Sequence, residues 1–504
     1  MNVVLYYPTL GMSGSLVTHL PLSLLYAGID TIQAGVEVRI VDARLDPINF
    51  KQTLENKIDD KTMLVGVSVM TGAPIINALE ISHFVKKKYP HLKIVWGGPH
   101  ATFNGQEILE EPNIDFVISG YGSQPLAALV RHLRGDKDAP PLSDIPGLNY
   151  RIDDKTVANP YVDAFEMVDY KKIPYHLVAA DLDSYGQLDS GERIFSLYSA
   201  MGCPYKCTFC SAPAQYSGIR RKFEAVPYLE VVDHIQYVKE RYGATYIYFI
   251  DDDSFVRISH VEAIIDEIIK RKIDIGLGFR GARVNEIKKM SDEFLRKLAQ
   301  AGTDIMHIGA ESGSQKILDL IKKNCTVEDI IAINKRLAKH PQIKTGYNWL
   351  SGVPTETLDD LRQTRELILK LVTDNPNAIL FPPNLFRPLP NTELYDVAVK
   401  HGYKPPNKIK DWADLENSLE SSSGDELPWC DKEHINQVYM MQICSYFIDG
   451  KIFKVKTGDN MKFKIIRFLT RIYTPIAKLR MVYGYSGLLI EKHLFRLASR
   501  FMGS

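Results

Sequence analysis

The sequence reads as an α/β protein in three parts. A doubly wound parallel-sheet domain comes first, then a partial barrel of six strand–helix units, then a small and mostly helical domain. Three observations lead there. Short apolar runs alternate with amphipathic stretches through residues 1–135, the pattern of parallel strands joined by helices. The alternation resumes at residue 191 with a repeat of about 30 residues, and it is lost again past residue 400. The expected divisions are 1–140, a linker over 141–190, 191–400 and 401–504.

Composition bounds the class. A chain of 504 residues exceeds one ordinary core, and 45% hydrophobic with 24% charged residues describes a globular protein. Lys and Arg number 61, as do Asp and Glu, so no overall field recruits nucleic acid, and none is expected as a partner. Six cysteines, half of them in one loop, do not make a disulfide framework. Reduced thiols point to the cytoplasm. Neither a signal peptide nor a run of about 18 apolar residues is evident, so no spanning helix is expected.

In the first domain Val3–Tyr7 is a strand, and Pro21 opens a helix with Leu24, Leu25, Gly28, Ile29 and Ile32 on one face. Further strands are expected at Val36–Val41, Met63–Met70, Lys93–Trp96 and Asp115–Ser119. Ligands of such sheets bind beyond the carboxyl ends of the strands. There the sequence places Ser68, the pair Gly97 and Gly98, and Gly120, small residues that let a large ligand approach the backbone. No G-x-G-x-x-G follows the first strand, so a dinucleotide site is not expected. Residues 141–190 are rich in Pro, Asp and Tyr and carry no sustained period.

From 191 onward, strands are expected at Ile194–Ser199, Thr245–Ile250, Ile275–Arg280, Ile305–Gly309, Lys344–Leu350 and Ala378–Asn384. The first ends in the stretch Ala200–Ser211, which sets Cys203, Cys207 and Cys210 in a C-x3-C-x2-C loop. Three thiolates this close can share a metal centre. A four-iron cluster usually takes four, so three leave one iron open. Tetrahedral zinc is the competing reading, but it wants a fourth nitrogen or sulfur. The next His, His234, falls in a helical stretch. Every other strand also ends in polar residues: Asp251–Phe255, Arg280–Arg283, Gly309–Ser314, Ser351–Glu356 and Arg387–Thr392.

The cysteine spacing, with Phe209 before the last Cys, resembles the radical S-adenosylmethionine (SAM) superfamily. The strand-end runs resemble motifs of the same superfamily: F-x-D-D-x-F at 250–255, G-x-E-S-G-S at 309–314, G-x-P-x-E at 352–356 and P-x-P-x-T at 388–392. The first half resembles the cobalamin-binding domain that precedes many radical SAM domains, with Gly97, Gly98 and Gly120 where that family wraps the nucleotide tail. It lacks the D-x-H-x-x-G of classical cobalamin mutases, so cobalt is expected to have no protein His below it. A flavodoxin-like unit without a ligand is the alternative for this half.

The resemblance implies a 4Fe-4S cluster on Cys203, Cys207 and Cys210, with SAM and cobalamin as further cofactors. It implies that the cluster reduces SAM to a 5′-deoxyadenosyl radical and that cobalamin delivers a methyl group to an unactivated carbon. The SAM ammonium then calls for Asp252 or Asp253, its carboxylate for Arg283 and its ribose for Glu311. Related activities include ring formation of the anaerobic magnesium-porphyrin cyclase type and reactions on hopanoid lipids. The expected partners are thus a small molecule, a lipid or tetrapyrrole included, and an electron donor such as ferredoxin or flavodoxin. The runner-up activity is cyclisation or rearrangement without methyl transfer, and a non-catalytic sensor is a third reading.

Past residue 460 lie Lys462, Lys464, Arg467, Arg471, Lys478, Arg480, Lys492, Arg496 and Arg500 against one acid, Glu491. Ile465, Ile466, Phe468, Leu469, Ile472 and Tyr473 are interleaved with the first of them. A basic amphipathic helix of this kind suits peripheral contact with an anionic membrane, or else packs on the barrel with solvated lysines.

Overall fold

The computed structural model describes residues 1–10, 19–153, 155–162, 164–186, 192–414, 427–448 and 461–487; within 461–470 only the Phe468 side chain is described. Lys492, Arg496 and Arg500 lie outside the described residues, as do the side chains of Lys462, Lys464, Ile465, Ile466, Arg467 and Leu469. The chain forms two compact units. One comprises Met1–Tyr185 with Gln215–Arg221 and Pro406–Glu416, and the other holds the remainder.

The first unit is built on a sheet of order β2-β1-β3-β4-β5-β6-β7. Its strands are β1 (Asn2–Tyr7), β2 (Glu37–Asp42), β3 (Thr62–Ser68), β4 (Lys93–Gly97), β5 (Phe116–Ile118), β6 (Leu148–Ile152) and β7 (Lys155–Ala158). The first five run parallel, and β6 and β7 are antiparallel additions. Val3, Val4, Leu5 and Tyr6 are all buried, as a central strand covered on both faces must be. The helix Leu22–Gln33 leads from β1 to β2 and buries Leu24, Leu25, Gly28 and Ile29. The connections after β2 run the other way across the sheet, so the order reverses at β1 and β3, which is where such sheets take ligands. The Tyr6 hydroxyl donates to Asn77 Oδ1 at 2.8 Å and Trp96 Nε1 to Ser82 Oγ at 3.0 Å, fastening the helix Pro74–Lys88 to the sheet.

Where the sequence led us to expect a linker over 141–190, two strands extend this sheet. Their signal was hidden because β6 and β7 are short and joined by a tight turn at Asp153, which has φ 47°. Arg151 holds β6 down through Ile114 O at 2.6 Å, and it also bonds Leu109 O.

The second unit holds six parallel strands in simple order: β8 (Ile194–Leu197), β11 (Tyr246–Phe249), β12 (Gly276–Ala282), β13 (Thr303–Glu311), β14 (Lys344–Ser351) and β15 (Ala378–Leu380). Two short pieces, β9 (Ala200–Met201) and β10 (Glu224–Ala225), form an antiparallel ribbon, and β16 (Asn384–Leu385) pairs with the end of β14. Sequential order means that every crossover advances the same way. Edges β8 and β15 stay unpaired with each other, so the barrel is partial. Capping boxes at Thr326 and Thr357 start the helices Val327–Leu337 and Leu358–Asp374.

Residues 401–504 do not separate as the expected domain. The helices Lys432–Phe447 and Met461–Tyr483 belong to the second unit, where they pack on Leu358–Asp374. Arg365 ties them through Gln437 Oε1 at 2.8 Å and Met481 O at 3.0 Å. The segment Ile409–Asp414 belongs instead to the first unit, where Trp412 Nε1 donates to Glu107 Oε1 at 3.0 Å. No helix among the described residues is long and apolar enough to cross a membrane.

Candidate functional site

The cysteine loop leaves β8 and is fixed at its base by Asp251. That carboxylate accepts from Ser199 N at 2.7 Å, Ser199 Oγ at 2.8 Å and Ala200 N at 3.0 Å. Burial pushes Asp251 up to about 6 while the three donors favour its charged form. The first acid of the F-x-D-D-x-F run is therefore a brace for the loop. Farther along, Thr208 is held by Ile321 O and Leu320 O, both at 3.2 Å, and its own carbonyl accepts from Leu394 N at 2.8 Å.

These braces set the three thiols around one cavity of about 200 Å³. It is lined by Cys203, Cys207 and Cys210 together with Phe209, Asp252, Asp253, Arg283 and Glu311. All the residues expected for the cluster and SAM thus meet at the carboxyl ends of β8, β11, β12 and β13. Among the described residues no three Cys, His, Asp or Glu side chains close on a single metal-ion position. Three thiols at one chamber suit a four-iron cluster with one iron left open. Burial and the nearby Asp253 and Asp252 hold the Cys203 thiol well above its ordinary range, and burial raises Cys210 to about 11.

Of the carboxylates, Asp252 is exposed to the chamber, whereas Asp253 is 1% exposed. Asp253 Oδ1 accepts from Phe255 N at 3.1 Å, while Oδ2 is buried without a hydrogen-bond partner. Burial lifts this carboxyl to about 6. An orphaned acceptor beside three thiols fits a cationic ligand group such as the SAM ammonium. Gly281 makes the arrangement possible. A Cβ there would stand 2.8 Å from both Asp251 O and Asp252 O, so β12 approaches the acid loop only as glycine.

Arg283 has partners within the chain. Its Nη1 donates to Cys207 Sγ at 2.9 Å and its Nη2 to Lys323 O at 2.7 Å, with the guanidinium 4.0 Å from the Tyr205 ring centroid. Each terminal nitrogen thus spends one N–H inside the chain, while Nε–H is buried without a hydrogen-bond partner. Glu311 sits at a register shift of β13 with φ 64°, a strained value for a residue with a side chain. Its Oε1 pairs with Lys323 Nζ at 2.7 Å.

The sequence reading missed Lys323, Tyr205, His307 and Asn348, and it counted Arg280 only as part of a strand end. All five line the chamber. Arg280 is an exposed cation on the inner face of β12, and neither it nor Asn348 on β14 has a hydrogen-bond or ion-pair partner among the described residues. Strand alternation carries the signal: residues 276, 278, 280 and 282 point inward, and a charged residue in that row has a task. Ile305 on β13 and Ile379 on β15 form a small apolar cluster with Tyr248, Phe381 and Tyr446, and Tyr248 and Phe381 flank the ring of His307, which lines the chamber.

In the first unit Ser68, Gly97, Gly98 and Gly120 lie at the carboxyl ends of β3, β4 and β5, as expected. Gly98 has φ 98°, and a Cβ there would stand 2.9 Å from Val69 N and O, so glycine is required by the chain itself. Gly120 is covered by the Tyr161 ring at 3.4 Å, whereas Gly97 meets nothing nearer than Ile118 O at 3.9 Å. The Ser68 hydroxyl lies 3.1 Å from that of Ser23. Gly97 and Ser68 thus offer the open part of a cradle. His100 is fully buried between Thr71, 3.1 Å from its Nδ1, and the edge of Trp412, and burial lowers it to about 4. It is a packing residue beside the glycine pair.

A model of the radical SAM superfamily matches residues 197–368, and a model of the B12 binding domain matches residues 15–130. The chain is a radical SAM enzyme with a B12-binding domain. Cobalamin, a 4Fe-4S cluster and SAM are the cofactors of these two domains. An uncharacterized methyltransferase of Pyrococcus horikoshii is 24% identical over 460 residues, covering 90% of this chain and 94% of the relative. The anaerobic magnesium-protoporphyrin IX monomethyl ester cyclase of Rubrivivax gelatinosus is 26% identical over 377 residues, covering 72% and 66%. Among solved structures, the cobalamin-dependent radical enzyme OxsB with aqua-cobalamin bound aligns at TM-score 0.70 and 17% identity over 99% of this chain and 75% of its own. The methyltransferase TsrM from Kitasatospora setae aligns at TM-score 0.63 and 19% identity, over 80% and 79%. Both likenesses concern the fold.

Proposed function

We propose that the protein transfers a methyl group to an unactivated carbon of a hydrophobic small molecule, a lipid or tetrapyrrole among the candidates. The observation that carries this reading is the single chamber that joins three thiols, the orphaned Asp253 acceptor, the unpartnered Arg280 and His307, whose ring meets the apolar cluster of Tyr248 and Phe381. When bound, the cluster and SAM supply a carbon-centred radical and cobalamin supplies the methyl group, the hard chemistry being theirs. The chain's own residues have narrower tasks. Cys203, Cys207 and Cys210 hold the irons, and Arg283 braces Cys207. Asp253 receives the SAM ammonium, and Asp252 and Glu311 stand beside it. Tyr248, Phe381 and Ile379 keep water from the reacting carbon. Ser68 and Gly97 offer cobalamin backbone and hydroxyl contacts in the first unit.

On this reading an external electron donor, a ferredoxin or flavodoxin, reduces the cluster, and the protein works in the cytoplasm with peripheral attachment to the membrane that holds its substrate. The P. horikoshii relative, named as a methyltransferase, supports methyl transfer. The cyclase relative supports ring formation as the second reading. Anaerobic incubation with reductant, cobalamin, methyl-deuterated SAM and a membrane lipid extract separates them by product mass. A product that gains the labelled methyl together with 5′-deoxyadenosine is expected. A product that only loses hydrogen makes the protein a cyclase, and absence of 5′-deoxyadenosine returns it to the sensor reading.

A further inference from the structure

Among its described side chains, the helix Met461–Tyr483 turns a row of apolar residues outward and buries Ala477, Arg480 and Met481. Arg480 is occupied by Tyr485 O at 3.1 Å and Gly487 O at 2.8 Å, and Thr474 donates to Phe447 O at 2.7 Å. Phe468, Ile472, Ile476, Leu479 and Tyr483 are 62, 59, 49, 56 and 78% exposed. Their spacing of four, four, three and four residues makes one continuous stripe, about 22 Å long at 1.5 Å per residue. A helix that only packs on its own unit buries such a row and turns its charges out.

Resting on the peripheral attachment read above, we infer that this stripe is the membrane-contacting surface and that it selects an anionic leaflet. Two observations choose that occupant. The helix carries six Lys and Arg and no Asp or Glu. Of the three whose side chains are described, Arg471 and Lys478 are exposed and border the stripe on one side, placed to reach lipid headgroups while the apolar residues enter the acyl boundary. A second copy of the same face would set Arg471 and Lys478 against like charges.

Flotation of the cofactor-loaded full-length protein with vesicles tests the assignment without any turnover, so its outcome is separate from the fate of the methyl-transfer reading. With phosphatidylcholine vesicles containing 30% phosphatidylglycerol at low salt, the protein should float, and added NaCl should release it. Replacing Arg471 and Lys478 together by Gln should weaken binding about 30-fold, at about 1 kcal/mol per cation. Ile472→Asp and Leu479→Asp, both on the exposed side, should abolish it with cluster content and thermal midpoint unchanged. Equal binding to pure phosphatidylcholine overturns the selection for anionic lipid. A dimer in solution that Ile472→Asp dissociates assigns the stripe to a second copy instead. A monomer that stays with the soluble fraction at low salt overturns the inference altogether.

Discussion

Arg283 is bonded to Cys207: one terminal nitrogen donates to its sulfur at 2.9 Å while the other donates to the Lys323 carbonyl at 2.7 Å. A guanidinium held this way places a fixed positive charge and a hydrogen bond on one sulfur of the iron-binding set. Both favour the more negative, reduced state of a cluster. Arg283→Gln should therefore keep about four irons per chain yet lower the midpoint potential by tens of millivolts in an EPR-monitored redox titration. Cys207→Ala should lose the irons. An Arg283→Gln protein with unchanged potential would show that the guanidinium serves packing against Tyr205 alone.

Lys323 is a buried cation whose nearest acid is Glu311 at 2.7 Å. Removing the acid strands the charge, at a cost of about 3–5 kcal/mol for a buried pair. Glu311→Gln should lower the unfolding free energy measured by denaturant titration by that amount, and Lys323→Met in the same chain should recover much of it. Loss of SAM cleavage in both variants, with stability restored only in the second, would separate the pair's place in the chamber from its part in folding.

His100 and His234, one in each unit, are both held near pKa 4 by burial. Their unfolded value is about 6.5, so between pH 6.5 and 4 the unfolded chain binds protons that the folded chain does not. Stability should thus fall as pH drops through that window, by roughly 3 kcal/mol per histidine once complete. Neither contributes above pH 6.5, where both states are neutral. Urea midpoints measured at intervals from pH 7.5 to 4 should show the slope, and His234→Leu should flatten it. An unchanged slope would assign the acid sensitivity to other groups.

Gly98 and Gly97 make separable demands on the first unit. Gly98→Ala forces a Cβ against Val69 N and O at 2.9 Å and should destabilise the unit. Gly97→Ala meets only Ile118 O at 3.9 Å and should fold normally while binding cobalamin more weakly. The cobalt(II) form of the wild type should show no nitrogen superhyperfine splitting in its EPR spectrum. Splitting would name a protein histidine as ligand and overturn the reading of the missing D-x-H-x-x-G.

Local pattern made the parallel strands legible, because a strand buried on both faces is a short apolar run wherever it occurs. β6 and β7 were not: antiparallel strands of four or five residues at a sheet edge have no room to display a period. The three cysteines announced themselves by spacing. The bracing contacts of Asp251 and Arg283 were not legible, for a shared reason. Sequence shows that a charged residue stands at a strand end, but only the fold shows whether it faces a ligand or its own chain. Lys323 was missed because nothing near it in sequence marks it. Its acid lies twelve positions back, across a helix.

The three donors on Asp251 and the contacts of Thr208 belong to the polypeptide and owe nothing to iron. In small zinc modules the metal's binding energy is the folding energy, and chelation is denaturation. Here the base of the loop is held by contacts that the polypeptide itself supplies, so chelating the iron is expected to leave the six-strand core of the second unit folded.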